Sequence, residues 1–218
     1  MGRSRILAVT VLLAVGGLVA LVVVDGGSDA SAPVESVVAA GSESVVAGSS
    51  TSTTEPPPVA VPVDLGPAPE LKGIDGWLQT DATDLSGIDA DVIIVQFWTF
   101  SCRNCKNTLP FLQDIYAEYR DRGLEIVGVH SPEFGFEKDP TKVQEAALDL
   151  GVTWPIALDT SRRSFRSWQG SPAYWPRTYV LDREGNIRFD HIGEGAYDEL
   201  EATVAFLLDE VSDDPSLG

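Results

Sequence analysis

This sequence is short of sulfur, histidine and positive charge. Its 218 residues include two cysteines, one methionine and two histidines, and 15 lysines and arginines stand against 33 aspartates and glutamates, a formal charge of −18. Nucleic-acid binding depends on Lys and Arg neutralising phosphates, so so few basic residues argue against a nucleic-acid partner. The acidity itself speaks for solubility rather than for a fold. A closed zinc site needs four ligands, and beyond one cysteine pair the chain offers only His130 and His191. Aromatic side chains are absent from residues 25 to about 68, where Gly, Ser, Ala, Thr and Pro dominate. Such a stretch cannot bury enough apolar surface to offset chain entropy, and it reads as a tether stiffened by Pro56, Pro57 and Pro58.

Charge is also missing from Ile6 to Val24, 19 residues that follow Arg3 and Arg5 and precede Asp25. That length is close to the ~20 residues that cross a bilayer as a helix. The apolar run exceeds the h-region of a secretory signal, and the best cleavage candidate, Ala30-Ser31-Ala32, is followed by Pro33. An uncleaved anchor is therefore favoured, with a cleaved signal as the alternative. Positive charge before the span leaves the remainder outside the cytoplasm, where disulfides persist. The expected organisation is a membrane anchor or signal segment at 1–24, a flexible linker at 25–69 and a folded domain at 70–218, the last with 27 acidic and 13 basic residues.

Within that domain, Asp91 to Trp98 is a short, β-branched apolar run suited to a strand buried on both faces. Leu109, Leu112, Ile115, Tyr116 and Tyr119 recur at helical spacing, and Gly123 supplies a stop, so a helix is expected over 102–122. LEIVGVH (124–130) is a second apolar strand, completing a right-handed βαβ unit. Asp139 and Pro140 open another helix that Gly151 ends. A short strand follows at 154–159 and a short helix ended by Gly170. A hairpin of 177–182 and 187–193 turns near Gly185-Asn186, and a last amphipathic helix covers 197–211. Parallel strands followed by an antiparallel hairpin, with helices on both faces, make an α/β sandwich with a mixed central sheet.

Cys102 and Cys105 lie where the first buried strand gives way to its helix. Unpaired amides and a partial positive charge at a helix N-terminus favour thiolate over thiol, and Arg103 and Lys106 are expected to push the same way. Two intervening residues bring both sulfurs onto one turn. Cys102 is then the attacking thiol and Cys105 the thiol that resolves the mixed disulfide.

FWTFSCRNCKNTLP is similar to the FWAxWCxxCxxxxP pattern of thioredoxin-fold proteins, including a proline five residues after the second cysteine, Pro110. GWLQTDATDLSG, GVHSPEFGFEK, WPIALD, YWPRTYVLDREGNIR and IGEGAYDELE resemble the TlpA and DipZ-type (redoxin) thiol-disulfide oxidoreductases, above all the thioredoxin-like domain of the DipZ type. The likeness covers residues 70–205. It implies a thioredoxin fold, no cofactor beyond the redox-active cysteine pair, and a cis proline beside the cysteines. Of Trp154-Pro155 and Trp175-Pro176, only Pro176 directly precedes the hairpin strand. Trp175, Phe100 and Arg103 are the expected substrate contacts, Trp175 by offering its backbone edge to an extended peptide. Thioredoxin has a buried Asp six residues before the first cysteine; here Gln96 stands there and cannot ionise. Glu133 is the candidate for a partly buried proton acceptor in its place, with a solvated loop carboxylate as the alternative.

The resulting expectation is an extracytoplasmic, membrane-anchored protein disulfide reductase. The short segment between the second and third strands has no space for the helical insertion of DsbA-type oxidases, which favours reduction over oxidation. Rival readings are a disulfide-forming oxidase, a CxxC copper-binding protein and a thiol peroxidase. The last has Thr99 three residues before Cys102 but Val95 where the peroxiredoxin PxxxTxxC motif has proline. A structural disulfide closing so short a loop would add little stability. The resemblance implies extracytoplasmic protein thiols or disulfides as substrates, apocytochrome c among them, and a membrane electron donor of the CcdA or DsbD type.

Overall fold

The computed structural model describes residues 61–213. The expected membrane segment and most of the expected linker lie outside the described residues. Among the described residues no helix is long and apolar enough to cross a membrane. Six strands, β1 (Trp77–Leu78), β2 (Val92–Trp98), β3 (Leu124–His130), β4 (Ile156–Leu158), β5 (Arg177–Leu181) and β6 (Ile187–Ile192), form one sheet in the order β1-β4-β3-β2-β5-β6. Strands β2, β3 and β4 run parallel, while β5 pairs antiparallel with β2 and β6, and β1 antiparallel with β4. This is a thioredoxin-like α/β fold with a mixed sheet. β1 has two residues, too few for any periodicity to reveal it.

The side chains of β2 explain why its sequence is apolar without alternation. Val92, Ile94 and Trp98 pack into one core with residues of α1 (Arg103–Tyr119), α2 (Pro140–Asp149) and α4 (Tyr197–Ser212). Val95 and Phe97 point the other way, into a second core with Phe165 and Trp168 of α3 (Arg163–Gln169). A central strand covered on both faces has no solvent side on which to place polar residues. In α1 the buried face includes Leu109, Leu112, Ile115 and Tyr119 of the periodic set, while Tyr116, its fifth member, is only partly buried against the same core. The helix ends at Tyr119, a short 3₁₀ turn covers Arg120–Arg122, and Gly123 closes it at φ 103, a left-handed conformation that glycine adopts without a Cβ penalty.

Two features depart from expectation. The hydrogen-bonded domain begins before Glu70: Leu65 and Ala68 donate amides to Ile187 and Gly185, and Ile187 returns one to Gly66. The end of the stretch read as linker is thus fastened along the β5–β6 hairpin, which its Pro and Gly content concealed. The second feature is Asp159. Fully buried after β4, its carboxylate accepts the Ser131 hydroxyl and the amides of Ser164 and Phe165, joining the end of β3 to the first turn of α3.

Gly128 sits in β3 between two indoles. A Cβ there would come within 2.8 Å of Trp98 Nε1 and 3.3 Å of Trp154 Nε1, both fully buried. Overpacking of this kind costs about 1–3 kcal/mol. Gly128→Ala should therefore lower the urea midpoint without changing the slope, as followed by tryptophan fluorescence; an unchanged midpoint would refute the packing account.

Candidate active site

β2 ends at Trp98, and the chain turns through Thr99–Ser101, with the Cys102 amide donating to the Thr99 carbonyl at 3.2 Å. Cys102 is the N-cap of α1, at φ −64° and ψ 120°. Its sulfur accepts the Cys105 amide at 3.2 Å. A thiol thus takes the place usually filled by a Ser or Asp oxygen, so the helix terminus solvates sulfur directly. Both cysteines are free thiols; Cys102 is half-buried and Cys105 fully buried.

Their environments drive the two acidities apart. The Cys105 thiol stabilises the Cys102 thiolate first, and the amides of Cys105 and Asn104 add to this against partial burial, so that Cys102 falls to about 7. Burial pushes the Cys105 thiol strongly upward, with the neighbouring Cys102 sulfur adding to the effect. Arg103 and Lys106, expected from the sequence to acidify Cys102, are exposed and not among the groups that do so. Solvent screens their charge, so local hydrogen bonds carry the effect.

Beside the cysteines lies a buried carboxylate that the sequence reading did not single out. Glu137 is fully buried. One of its oxygens accepts the Ser101 hydroxyl at 2.5 Å, and the other accepts the amides of Glu133 at 2.6 Å and Phe134 at 2.8 Å. Burial opposes its charge, but these three bonds outweigh it, the nearby Thr99 hydroxyl acting in the same direction, and hold the carboxyl below the usual range. The Thr99 hydroxyl also lies 3.3 Å from Nε2 of His130, whose burial lowers it to about 4 and keeps the ring neutral near pH 7. A Glu three residues after a helical N-cap, reaching back to the cap amide, is half of a capping box. The signal was hidden because Phe134 stands where Ser or Thr would announce it.

Glu133 requires correction. It is exposed rather than partly buried, because its backbone, not its side chain, is drawn inward by Glu137. Its charge nevertheless reaches Cys102 and raises it. The Trp175-Pro176 bond is cis, as is Ser171-Pro172, which the sequence reading did not consider. Pro176 is buried, and its carbonyl accepts the Gly193 amide at 2.8 Å. Trp175 is half-buried, stacked on Phe165 at 4.1 Å, with its indole N–H on the Ser131 carbonyl at 2.9 Å. Phe100 lies between His130 and Phe136, and Arg103 is exposed on the first turn of α1. Gln96 is buried and donates to the Thr108 hydroxyl at 2.9 Å, which in turn donates to the Cys105 carbonyl at 2.8 Å. The position that carries an acid in thioredoxin thus supports the backbone of the second cysteine. Among the described residues no group of three or more His, Cys, Asp or Glu is placed to hold a metal ion.

Only the thiolate attacks, so alkylation of Cys102 should be slow below pH 7 and rise through a midpoint near 7, while Cys105 stays unreactive in the folded protein. Because Glu133 opposes the thiolate, Glu133→Gln should move that midpoint to lower pH; an upward shift would contradict the placement. Glu137→Ala would orphan three donors at roughly 1 kcal/mol or more each. A loss of about 3 kcal/mol or more is expected by urea denaturation.

The sequence model of the AhpC/TSA family matches residues 66–190. Protein DipZ of Mycobacterium tuberculosis is 40% identical over 148 residues, covering 66% of this chain and 21% of DipZ, so the chain spans about a fifth of that relative's length. Thiol-disulfide oxidoreductase YkuV of Bacillus subtilis is 31% identical over 144 residues, covering 66% of this chain and 95% of YkuV. Among solved structures, a thioredoxin-like protein in its oxidised form superposes with a TM-score of 0.57 at 31% identity, covering 66% of this chain and 96% of its own. A thioredoxin-like superfamily protein at 21% identity gives 0.58 over 66% and 96%, which speaks for the fold. The paired cysteines at a strand–helix junction, the family model over more than half of the chain and these relatives together make the chain a member of the AhpC/TSA family, similar to thiol-disulfide oxidoreductases of thioredoxin-like fold.

Proposed function

We propose that this protein is an extracytoplasmic, membrane-anchored reductase of protein disulfides. The observation that carries the chemistry is the split between a half-exposed Cys102 near 7 and a fully buried Cys105 pushed far up, their contact made through an N-cap bond of 3.2 Å. The Cys102 thiolate attacks one sulfur of a partner disulfide, forming a mixed disulfide and expelling the partner's other sulfur as thiolate. Cys105 loses its proton and attacks Cys102 Sγ, forming the Cys102–Cys105 disulfide and releasing the second partner thiolate. Two electrons pass to the partner and one disulfide is exchanged for another. The Cys105 proton leaves to the partner thiolate expelled in the first step or to water, since Glu133 is exposed and its charge is felt at Cys102 rather than at Cys105. Trp175, Phe100 and Arg103 form the surrounding surface for the partner peptide, and buried Pro176 fixes the backbone behind Trp175.

Direction is favoured toward reduction by the segment joining β3 to β4, which has only α2 and one short 3₁₀ turn among its helices. Anchoring rests on the uncharged residues 6–24 behind Arg3 and Arg5. A membrane electron donor of the CcdA or DsbD type re-reduces the pair, as the resemblance to that group of oxidoreductases implies. Extracytoplasmic protein disulfides, that of oxidised apocytochrome c among them, are the substrate class. A peroxidase reading needs the Thr99 hydroxyl at the attacking sulfur, whereas it lies against His130.

Cys105→Ser should accumulate a mixed disulfide through Cys102 that dithiothreitol releases, detected by non-reducing electrophoresis of membranes; none would form if Cys102 were not the attacking thiol. Equilibration of the wild-type pair with glutathione should give a potential nearer −270 mV than −120 mV, since about 30 mV corresponds to ~1.4 kcal/mol. A value at the upper end would assign an oxidase.

A further inference from the structure

Beyond β3 the chain makes a tight turn that carries two aromatic rings into solvent. Phe134 and Phe136 are 49% and 51% exposed. They stack on each other at 5.8 Å, 5° from parallel. Phe136 also packs edge-on against Phe100 at 5.9 Å, and Phe100 stacks on buried His130 at 5.6 Å. The turn is held from beneath by Glu137, which takes the Glu133 and Phe134 amides on one oxygen and the hydroxyl of Ser101, the residue before Cys102, on the other. The rings are therefore fixed relative to the attacking sulfur at little further entropic cost on binding.

We propose that the Phe134–Phe136 pair is the docking surface for an aromatic or branched aliphatic side chain lying a few residues from the cysteine of a partner polypeptide. The inference rests on the exchange reaction at Cys102 and holds for either direction of electron flow. Bond formation at Cys102 requires the partner's sulfur within bonding distance, so the residues flanking it must pass over the surface around Phe100, and this part of that surface is flat and aromatic. Rings of this kind gain by stacking as well as by area removed from water. The occupant is a segment of low acidity, because the domain already carries 27 acidic residues against 13 basic and would repel an acidic one. Glu137 acts as a positioning residue, through the turn it fixes.

The test uses the reduced full chain and two disulfide-linked peptides identical except for Phe or Ser two residues from the cysteine, with single-turnover exchange followed by tryptophan fluorescence. The wild type should exchange with the Phe peptide about tenfold faster in kcat/KM, the change coming through KM. In a Phe134→Ser, Phe136→Ser double variant that ratio should fall to about one, with Phe134→Ser alone intermediate. Both rings are half exposed, so loss of the fold is not expected. A ratio near one in the wild type, or an undiminished ratio in the double variant, would overturn the docking surface alone. Failure of the wild type to exchange with either peptide would overturn the reaction at Cys102 and the docking surface with it.

Discussion

The hydrogen bond from the Cys105 amide to the Cys102 sulfur is the interaction on which the chemistry of this protein depends. It makes a sulfur the cap of α1, so stabilising the helix start and stabilising the thiolate become the same event. Shortly after, the helix carries Cys105 into the core beneath, where burial opposes its ionisation. One sulfur is made ready to attack while the other is held back, and both outcomes follow from placing a strand's end and a helix's start at one point.

The sheet makes that point rigid. β2 is central, paired with β3 on one side and β5 on the other, and covered on both faces. Its last residue is followed by the turn that bears Cys102, while the end of β3 leads into the Glu137 turn and the start of β5 follows cis Pro176. Three adjacent strand ends therefore deliver the cysteines, the buried carboxylate and the proline to one edge of the sheet. Arg177 and Asp190 secure the hairpin behind Pro176 with two hydrogen bonds of 2.7 and 2.5 Å.

Glu137 shows how a buried charge can be tolerated and used. Without partners a carboxylate in this position would be strongly disfavoured, and here two amides and a hydroxyl satisfy it. The same bonds fold the turn and couple it to the residue preceding Cys102. The two half-exposed phenyl rings are a consequence of that folding: the carboxylate takes the inside of the turn and leaves the neighbouring side chains outside.

The sequence by itself determined the regular elements and the reactive pair. The run at Val92–Trp98, the spacing of Leu109, Leu112, Ile115 and Tyr119, Asp139-Pro140 as a helix start and the two cysteines at a strand–helix junction are local patterns, and each has a local physical cause. Tertiary structure alone decided what depends on residues distant in the chain. The two-residue strand β1 exists because β4 offers an edge, and the chain at 65–68 is ordered because the hairpin pairs with it. Electrostatics around Cys102 followed the same division: proximity in sequence pointed to Arg103 and Lys106, but solvent screens them, and contacts within the folded turn prevail. Glu133 and Glu137 are four residues apart and carry the same charge in the sequence. Only the fold, by turning one side chain to water and the other to three donors, makes them different.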